Sequence, residues 1–211
     1  ECCAEYGVAL VGGDVVRAPV TFVTVALTGA TELPPLLRSA ARPGDALGLS
    51  GPVGSSAGGL EVLLKGPGLE QRATAPLVRA HRRPRPQVKA GRTLAEVGVR
   101  AAIDVSDGLA DDLGKLCQAS GVAARLEVAR VPVEEALRRA FPGRWWELAL
   151  GGGEDYQLLF AAPPEVAQEA VEALPGATLV GEVVAGPPGR VMVLDEAGRE
   201  VAPARGGWRH F

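Results

Sequence analysis

Short apolar runs alternate with amphipathic stretches along most of the chain. Apolar, β-branched runs predict strands at residues 45–50, 99–105, 123–128, 156–161, 177–184 and 190–195. Apolar positions at helical spacing predict helices at residues 60–64, 69–80, 87–97, 109–119, 133–140, 144–149 and 164–173. Strands and helices that interleave in this way indicate a mixed α/β (α+β) chain.

The N-terminal part of the chain has a separate pattern. Residues 1–7 read as the end of a helix closed by Gly7, and the apolar runs Val8 to Val11 and Val20 to Leu27 predict two strands. A connector rich in proline and glycine follows from Gly29 to Pro35. We therefore expect a domain boundary there, with residues 1–32 in one domain and 33–211 in another.

Composition narrows the class of protein. The chain has 211 residues, of which 47% are hydrophobic and 22% charged, which is typical of a globular protein with a real core. A net charge of −3 argues against general nucleic-acid binding, and the longest apolar stretch is far too short to span a membrane. Three cysteines without a C-x-x-C pattern favour reduced thiols in the cytoplasm over disulfides or a zinc site.

The strongest chemical signal is the acidic turn, Asp104-Val105-Ser106-Asp107-Gly108, between a predicted strand and a predicted helix. Asp104 ends the strand and Asp107 begins the helix, so both carboxylates can face the crevice where α/β sheets bind ligands. Mg²⁺ usually takes one or two carboxylates plus substrate phosphates, and free N–H groups at a helix start favour phosphate. The alternative is structural: Asp107 caps the helix, while Asp111 and Asp112 complement its dipole.

Three glycine-bearing segments offer further candidates. Gly12-Gly13-Asp14 could present a metal ligand, or form a hairpin turn with a salt bridge to Arg17. The run 151–153 precedes Glu154, which could hold a cationic substrate or simply lie at a loop-to-strand junction. The loop 51–59 could cradle phosphate through backbone N–H groups, although it matches neither a Walker A loop nor G-x-G-x-x-G.

Other patterns point away from alternative chemistries. The basic run from 79 to 92 contains two prolines and is more typical of a solvated connector than of a nucleic-acid patch. His81 and His210 are the only histidines, which is too few for a zinc cluster without cysteines. No G-x-S-x-G motif indicates a serine hydrolase.

Taken in order, these segments resemble the thiamine-monophosphate kinase family, in the superfamily of aminoimidazole ribonucleotide synthetase and selenophosphate synthetase. The resemblance runs through VALVGGDVVRAP (8–19), LLRSAARPGDALGLSGPVGSSAGGL (36–60), the HRRPRP connector, AAIDVSDGLADDLGKL (101–116), GGGEDYQLLF (151–160) and GWRHF (207–211). The ordered pair SDGL and GGEDY is its most specific part. The resemblance implies the C-terminal α/β domain of that kinase fold, preceded by the last helix and strands of an N-terminal ATP-binding domain.

The resemblance also implies an activity: ATP- and Mg²⁺-dependent transfer of the γ-phosphoryl group to thiamine monophosphate, giving thiamine diphosphate. By motif position it implies that the Mg²⁺ ligands are Asp14, Asp104 and Asp107. The implied ATP contacts are Gly13, Arg38 and Ser106, and the implied substrate contacts are Glu154 and Trp208. Asp104 and Asp107 are the residues closest to the chemistry. A homodimer in the full-length form and small-molecule substrates are the implied partners.

This sequence departs from the family pattern at several points. Val15, Val16 and Ala18 stand where threonines and a glycine are usual, Ser55 replaces an aspartate and Gln157 a glutamate. The family's N-terminal segment, with further metal ligands and most of the dimer sheet, does not precede Glu1. Two alternatives therefore remain open: another ATP-using enzyme of the superfamily, or a truncated chain that binds nucleotide without turnover.

Overall fold

A computed structural model describes residues 2–65 and 71–201 of the chain. The chain divides into two compact units, Glu1–Ala30 and Thr31–Phe211, each of which is described by itself below. The assignment of residues 1–32 to an ATP-binding domain stays a prediction. Trp208, a predicted substrate contact, lies outside the described residues.

The first unit contains one short helix, α1 (Cys2–Glu5), followed by Gly7 in the left-handed region with φ of +67°. Contrary to the prediction, the described structure has no strand at 8–11 or 20–27. Their apolar side chains are exposed, Val11 at 95% and Val23 at 82%. A strand exists only when a neighbour completes its hydrogen bonds, so β-branched composition alone does not produce one.

The second unit is built on one six-stranded sheet. Its strands are β1 (Ala46–Leu49), β2 (Ala101–Asp104), β3 (Ala123–Glu127), β4 (Leu158–Ala162), β5 (Thr178–Val184) and β6 (Val191–Leu194). Their spatial order is β2-β4-β1-β5-β3-β6. All neighbours are antiparallel except β3 and β6, which are parallel. This confirms the mixed α/β class and the predicted strands of the second unit.

Helices cover both faces of the sheet, and each face has its own core. Helix α5 (Leu109–Ser120) packs on one face, whereas α4 (Val88–Glu96) and α8 (Pro164–Ala173) pack on the other. Strand β4 serves both cores, because Leu159 points to the first and Phe160 to the second. Gly48 on β1 leaves room for this aromatic ring: a Cβ there would lie 2.2 Å from Phe160 Cζ.

A third cluster joins the remaining helices beside the sheet. Helices α2 (Ser55–Lys65), α3 (Gln71–Arg82), α6 (Glu135–Ala140) and α7 (Trp145–Gly151) meet around Leu77, Leu137, Phe141 and Leu148. A single 3₁₀ turn, Val128–Arg130, leads from β3 towards α6. This cluster brings the start of α2 and the end of α3 next to the loop that follows α7. Among the described helices, none has the length and apolar character needed to cross a membrane.

Candidate functional site

The acidic turn lies where β2 ends and α5 begins. Asp104 is the last residue of β2 and is exposed, and Asp107 follows in the turn with its side chain 32% exposed. The residue preceding the helix is Gly108, whose φ of +130° suits glycine, and no side chain caps the helix start. The alternative in which Asp107 is a simple helix cap is therefore wrong, and α5 begins two residues later than Asp107.

Asp112 organises the backbone of this turn from inside the protein. Its carboxylate is 1% exposed, and Oδ2 accepts hydrogen bonds from the N–H groups of Ser106 (2.9 Å), Asp107 (2.9 Å) and Gly108 (3.2 Å). A carboxylate in the first turn of a helix is well placed for such donors. The N–H groups of Ser106, Asp107 and Gly108 are thus bound by Asp112, and the prediction of phosphate binding at the helix start concerns the N–H groups that follow them.

Lys115, one turn further along α5, neutralises the cluster of acids. Its Nζ forms ion pairs with Asp111 (2.8 Å), Asp112 (2.7 Å) and Asp107. Burial alone would lower the pKa of Lys115, but hydrogen bonds to the three carboxylates raise it well above its usual value. Carboxylate oxygens of these three acids lie within 4.8 Å of one another, as metal ligands do. Lys115, however, already supplies a cation there.

The glycine run docks directly on the acidic turn. The N–H of Glu154 donates to Ser106 O (2.9 Å), and the N–H of Tyr156 donates to Val105 O (2.8 Å). A Cβ on Gly153 would lie 2.4 Å from Ser106 O, so only glycine permits this approach. The two most specific motifs of the sequence, separated by more than forty residues, thus form one surface.

Glu154 and Tyr156, which follow the glycine run, adopt a backbone conformation that is uncommon for residues other than glycine. Glu154 has φ of +66° and Tyr156 has φ of +53°. Such conformations persist only where surrounding contacts enforce them, and they cluster at functional sites. Burial raises the pKa of Tyr156, and the negative charges of Glu154, Asp104 and Asp107 raise it further. Three predicted site residues therefore act on one tyrosine hydroxyl through their negative charge.

Asp155 lies between Glu154 and Tyr156 in the chain, and its carboxylate binds backbone N–H groups at the start of α2. Its carboxylate accepts hydrogen bonds from the N–H groups of Gly54 (2.5 Å) and Ser56 (3.0 Å) and from the N–H of Ser55. Burial raises the pKa of Asp155 to about 6, although these hydrogen bonds oppose the change. The N–H groups of residues 54–56 in the loop 51–59 are therefore bound by Asp155, and α2 begins inside that loop.

His81, at the end of α3, is a site neighbour that the sequence patterns did not reveal. Its Nδ1 lies 3.0 Å from Ser56 Oγ and 3.6 Å from Glu154 Oε2. In the sequence, His81 belongs to the basic run from 79 to 92, and as one of two histidines it argued only against a zinc cluster. Lys115 was also missed, although its spacing of three and four residues from Asp112 and Asp111 is a recognisable ion-pair pattern on a helix.

Within the second unit, Arg38 lies away from the acidic turn. The carbonyl of Arg38 accepts a hydrogen bond from Ser120 Oγ (2.8 Å), at the far end of α5. The rise of a twelve-residue helix places that end on the order of 15 Å from the turn. Gly13 and Asp14 belong to the first unit and are exposed, with Asp14 Oδ1 accepting the N–H of Val15.

The acids of the second unit fit a magnesium ion in part. Asp104 is exposed and forms no ion pair or hydrogen bond within the described residues, and Asp107 is partly exposed beside it in the chain. Two carboxylates of this kind match the protein share of a site that is completed by water and phosphate oxygens. Asp112 fits less well, because its carboxylate is buried and already accepts three backbone N–H groups, while Lys115 pairs with Asp107, Asp111 and Asp112 alike.

Comparison with known proteins places these features in a family. The model described as "AIR synthase related protein, C-terminal domain" matches residues 42–194. Thiamine-monophosphate kinase of Methanopyrus kandleri is 37% identical over 190 residues, covering 88% of this chain and 59% of the relative. The corresponding kinase of Escherichia coli is 35% identical over 214 residues, covering 98% of this chain and 64% of the relative.

A solved structure shows the same fold. AaThiL complexed with AMPPCP and TMP superposes with a TM-score of 0.71 at 32% identity, over 83% of this chain and 54% of that one. The chain spans about 0.6 of the length of the first relatives, 59% and 64%. The resemblance to thiamine-monophosphate kinases is confirmed, and the chain belongs to the family of AIR synthase related proteins, of which residues 42–194 form the C-terminal domain.

Proposed function

We propose that the protein carrying this chain phosphorylates thiamine monophosphate to thiamine diphosphate with ATP and Mg²⁺. The observation that carries this proposal is the docking of the glycine run on the acidic turn, in which the N–H groups of Glu154 and Tyr156 bind the carbonyls of Ser106 and Val105. The relatives that carry the name of this kinase, and the AaThiL complex with AMPPCP and TMP, support the choice of substrates.

In this reaction the bond between the γ-phosphorus and the β-phosphate oxygen of ATP breaks. A terminal phosphate oxygen of thiamine monophosphate forms the new bond, and ADP leaves. No protein nucleophile is needed, because phosphoryl transfer depends mainly on positioning and charge neutralisation. Bound Mg²⁺ would supply that neutralisation between the phosphates.

The residues of this chain have distinct tasks in the proposed reaction. Asp104 and Asp107 would hold Mg²⁺, with Asp14 as a further ligand. Lys115 holds Asp107 in place through its ion pair. Glu154 would face the thiazolium cation, since its exposed carboxylate is the acidic group on the loop beside the turn. In this role Glu154 contributes a negative charge and accepts no proton from the substrate.

The other expectations belong to the same proposal. They are ATP contacts from Gly13, Arg38 and Ser106, a substrate contact from Trp208, a homodimer in the full-length form, cytoplasmic location and the absence of nucleic-acid and membrane partners. Arg38 is the least supported of the contacts, because its backbone lies at the far end of α5.

The direct test mixes the protein with ATP, Mg²⁺ and thiamine monophosphate and measures thiamine diphosphate and ADP. We expect equal amounts of both products, and a loss of about a hundredfold or more in kcat for Asp104→Asn, since charge stabilisation by metal is worth several kcal/mol. Glu169→Gln, an exposed position on α8, is the matched control and should leave the rate unchanged. Absence of diphosphate from the unmodified protein would contradict the proposal.

A second candidate applies to these 211 residues alone: nucleotide binding without turnover. It is favoured because the chain spans only 59% and 64% of its first relatives. Calorimetric titration with AMPPCP and Mg²⁺, beside the product assay, separates the two. Binding without product would support this second candidate, and product formation would exclude it.

A further inference from the structure

Glu154 is fixed at its backbone, but its carboxylate depends on one neighbour. Its N–H is bound to Ser106 O, and its φ of +66° sets the direction of the side chain. The carboxylate itself is 57% exposed. Within residues 2–65 and 71–201, the one basic nitrogen within 4 Å of it is His81 Nδ1, at 3.6 Å. Without that neighbour, a half-exposed glutamate would sample several rotamers.

His81 in turn is held by the packing of two helices. Its side chain is only 19% exposed, and Nδ1 lies 3.0 Å from Oγ of the buried Ser56 on α2. Helix α3 approaches α2 closely at Gly59, where a Cβ would lie 2.1 Å from Leu77 O and 3.0 Å from His81 Cβ. Ser56 is anchored through its own N–H to Asp155. These contacts fix the position of the imidazole.

The two neighbours of Nδ1, Ser56 Oγ and Glu154 Oε2, bear on which ring nitrogen carries the hydrogen. With a proton on Nδ1, the ring donates to Ser56 Oγ and turns a positive N–H dipole towards Glu154. Without it, a nitrogen lone pair would face the carboxylate at 3.6 Å, which is repulsive. The arrangement therefore favours a ring that carries its proton on Nδ1, as hydrogen-bond partners commonly determine for histidine.

From this chain of contacts we propose that His81 is a positioning residue, which holds the Glu154 carboxylate in the orientation that receives the cationic ring of the substrate. The inference deepens the proposed function and rests on it for the identity of the substrate. The juxtaposition Ser56–His81–Glu154 links substrate recognition to the contact between α2 and α3. His81 itself touches neither ATP nor the reacting phosphates in this assignment.

The binding test is a double-mutant cycle on the protein that carries this chain, with thiamine monophosphate as the probe. His81→Leu and Glu154→Gln should each weaken binding about tenfold, and the double variant should be no weaker than Glu154→Gln, because coupled residues are not additive. His81→Asn should restore binding, since its amide nitrogen occupies the place of Nδ1 and can donate. Arg82→Ala, exposed on the same helix, is the control and should bind normally.

A second readout needs no ligand. The sequence has two histidines, so the imidazole ¹⁵N spectrum of histidine-labelled protein is simple, and the signals lost in His81→Asn assign His81. We expect a protonated Nδ1 in the unmodified protein and a shift towards the Nε2–H form in Glu154→Gln. An unchanged His81 spectrum in Glu154→Gln would overturn the inference, and so would additive losses in the cycle.

The two readouts also separate the two proposals. If the unmodified protein fails to bind thiamine monophosphate, the proposed substrate is wrong, while the imidazole spectrum still decides whether His81 and Glu154 interact. If the substrate binds and the spectrum responds, but His81→Leu binds as tightly as the unmodified protein, the positioning role is wrong and the proposed function stands.

Discussion

At the scale of single residues, the carboxylates of this site differ in what surrounds them. Asp104 is exposed, Asp107 is paired with Lys115, and Asp112 and Asp155 are used to satisfy backbone N–H groups. Asp104 is therefore the acid best suited to an ion, and Asp107 shares its carboxylate with Lys115. Glu154 belongs to neither group: its N–H binds Ser106 O, and its carboxylate lies 3.6 Å from His81 Nδ1.

Asp155 provides a prediction about pH. Its pKa in the folded protein, about 6, is above the ordinary value of 3.8, so the folded state binds this proton more tightly than the unfolded state. The stabilising contribution is therefore full below pH 3.8 and is lost as the pH rises through 6. Urea unfolding of the unmodified protein and of Asp155→Asn should show a difference in free energy that falls by about 2 kcal/mol from pH 4 to pH 7.

Other titrating groups are common to both proteins and cancel in this difference. Asp155→Asn should also be less stable at every pH, because an amide cannot accept from all of the N–H groups at Gly54, Ser55 and Ser56. A difference that grows with pH would show that hydrogen bonding, not burial, dominates the pKa of Asp155.

At the scale of elements, the site is a junction between the β2–α5 turn and the loop after α7. Backbone hydrogen bonds join the two, and Gly153 permits their close approach. Asp112 binds the N–H groups of the β2–α5 turn, and Asp155, in the loop after α7, binds those at the start of α2, so a buried carboxylate holds each of these two strand-to-helix connections.

Removal of the Asp112 acceptor tests the turn. Asp112→Ala leaves three N–H groups without their buried acceptor and Lys115 with fewer partners, so we expect a loss of about 2–4 kcal/mol in the free energy of unfolding. Asp111→Ala is the matched control: this acid is exposed at 41% and should change stability by less than about 1 kcal/mol. Equal effects in urea titrations would show that Asp112 does not organise the turn.

Gly153→Ala tests the junction itself. A methyl group 2.4 Å from Ser106 O must push the loop away from the turn, so we expect a loss of about 1–3 kcal/mol and weaker binding of Mg²⁺–AMPPCP. Gly91→Ala on α4 is the control. There a Cβ meets Leu158 at an ordinary 3.6 Å, so alanine should stabilise the helix by about 0.5–1 kcal/mol. Normal stability of Gly153→Ala would mean that the loop and the turn are not in contact.

At the scale of the whole chain, the buried apolar residues that the structure describes all belong to the second unit. The three apolar clusters begin at Ala41 and contain no buried residue from 1–30. In the first unit, apolar side chains from Leu10 to Leu27 are exposed. An apolar surface of this kind on a described segment is a liability for association.

Residues 31–211 should therefore fold without the first unit. A protein limited to these residues should unfold cooperatively in urea, with the same secondary structure by circular dichroism and less binding of a hydrophobic dye than the 211-residue chain. The expected free energy of unfolding lies within about 1 kcal/mol of that of the longer chain, since the three apolar clusters contain no residue from 1–30. Loss of cooperativity would show that residues 1–30 contribute to the core.

The sequence by itself determined the order of strands and helices in the second unit and the two motifs that form the site. Both follow from local patterns: hydrophobic periodicity, glycine at a turn, and acids after a strand. Tertiary structure decided which polar groups remain free. Asp112 and Asp155 bind N–H groups of the turn and of the start of α2, Lys115 pairs with three acids, and His81 lies beside Glu154. These pairings join segments that are distant in the chain, so no local pattern encodes them. The same holds for the pairing of strands, which residues 8–27 lack in the described structure.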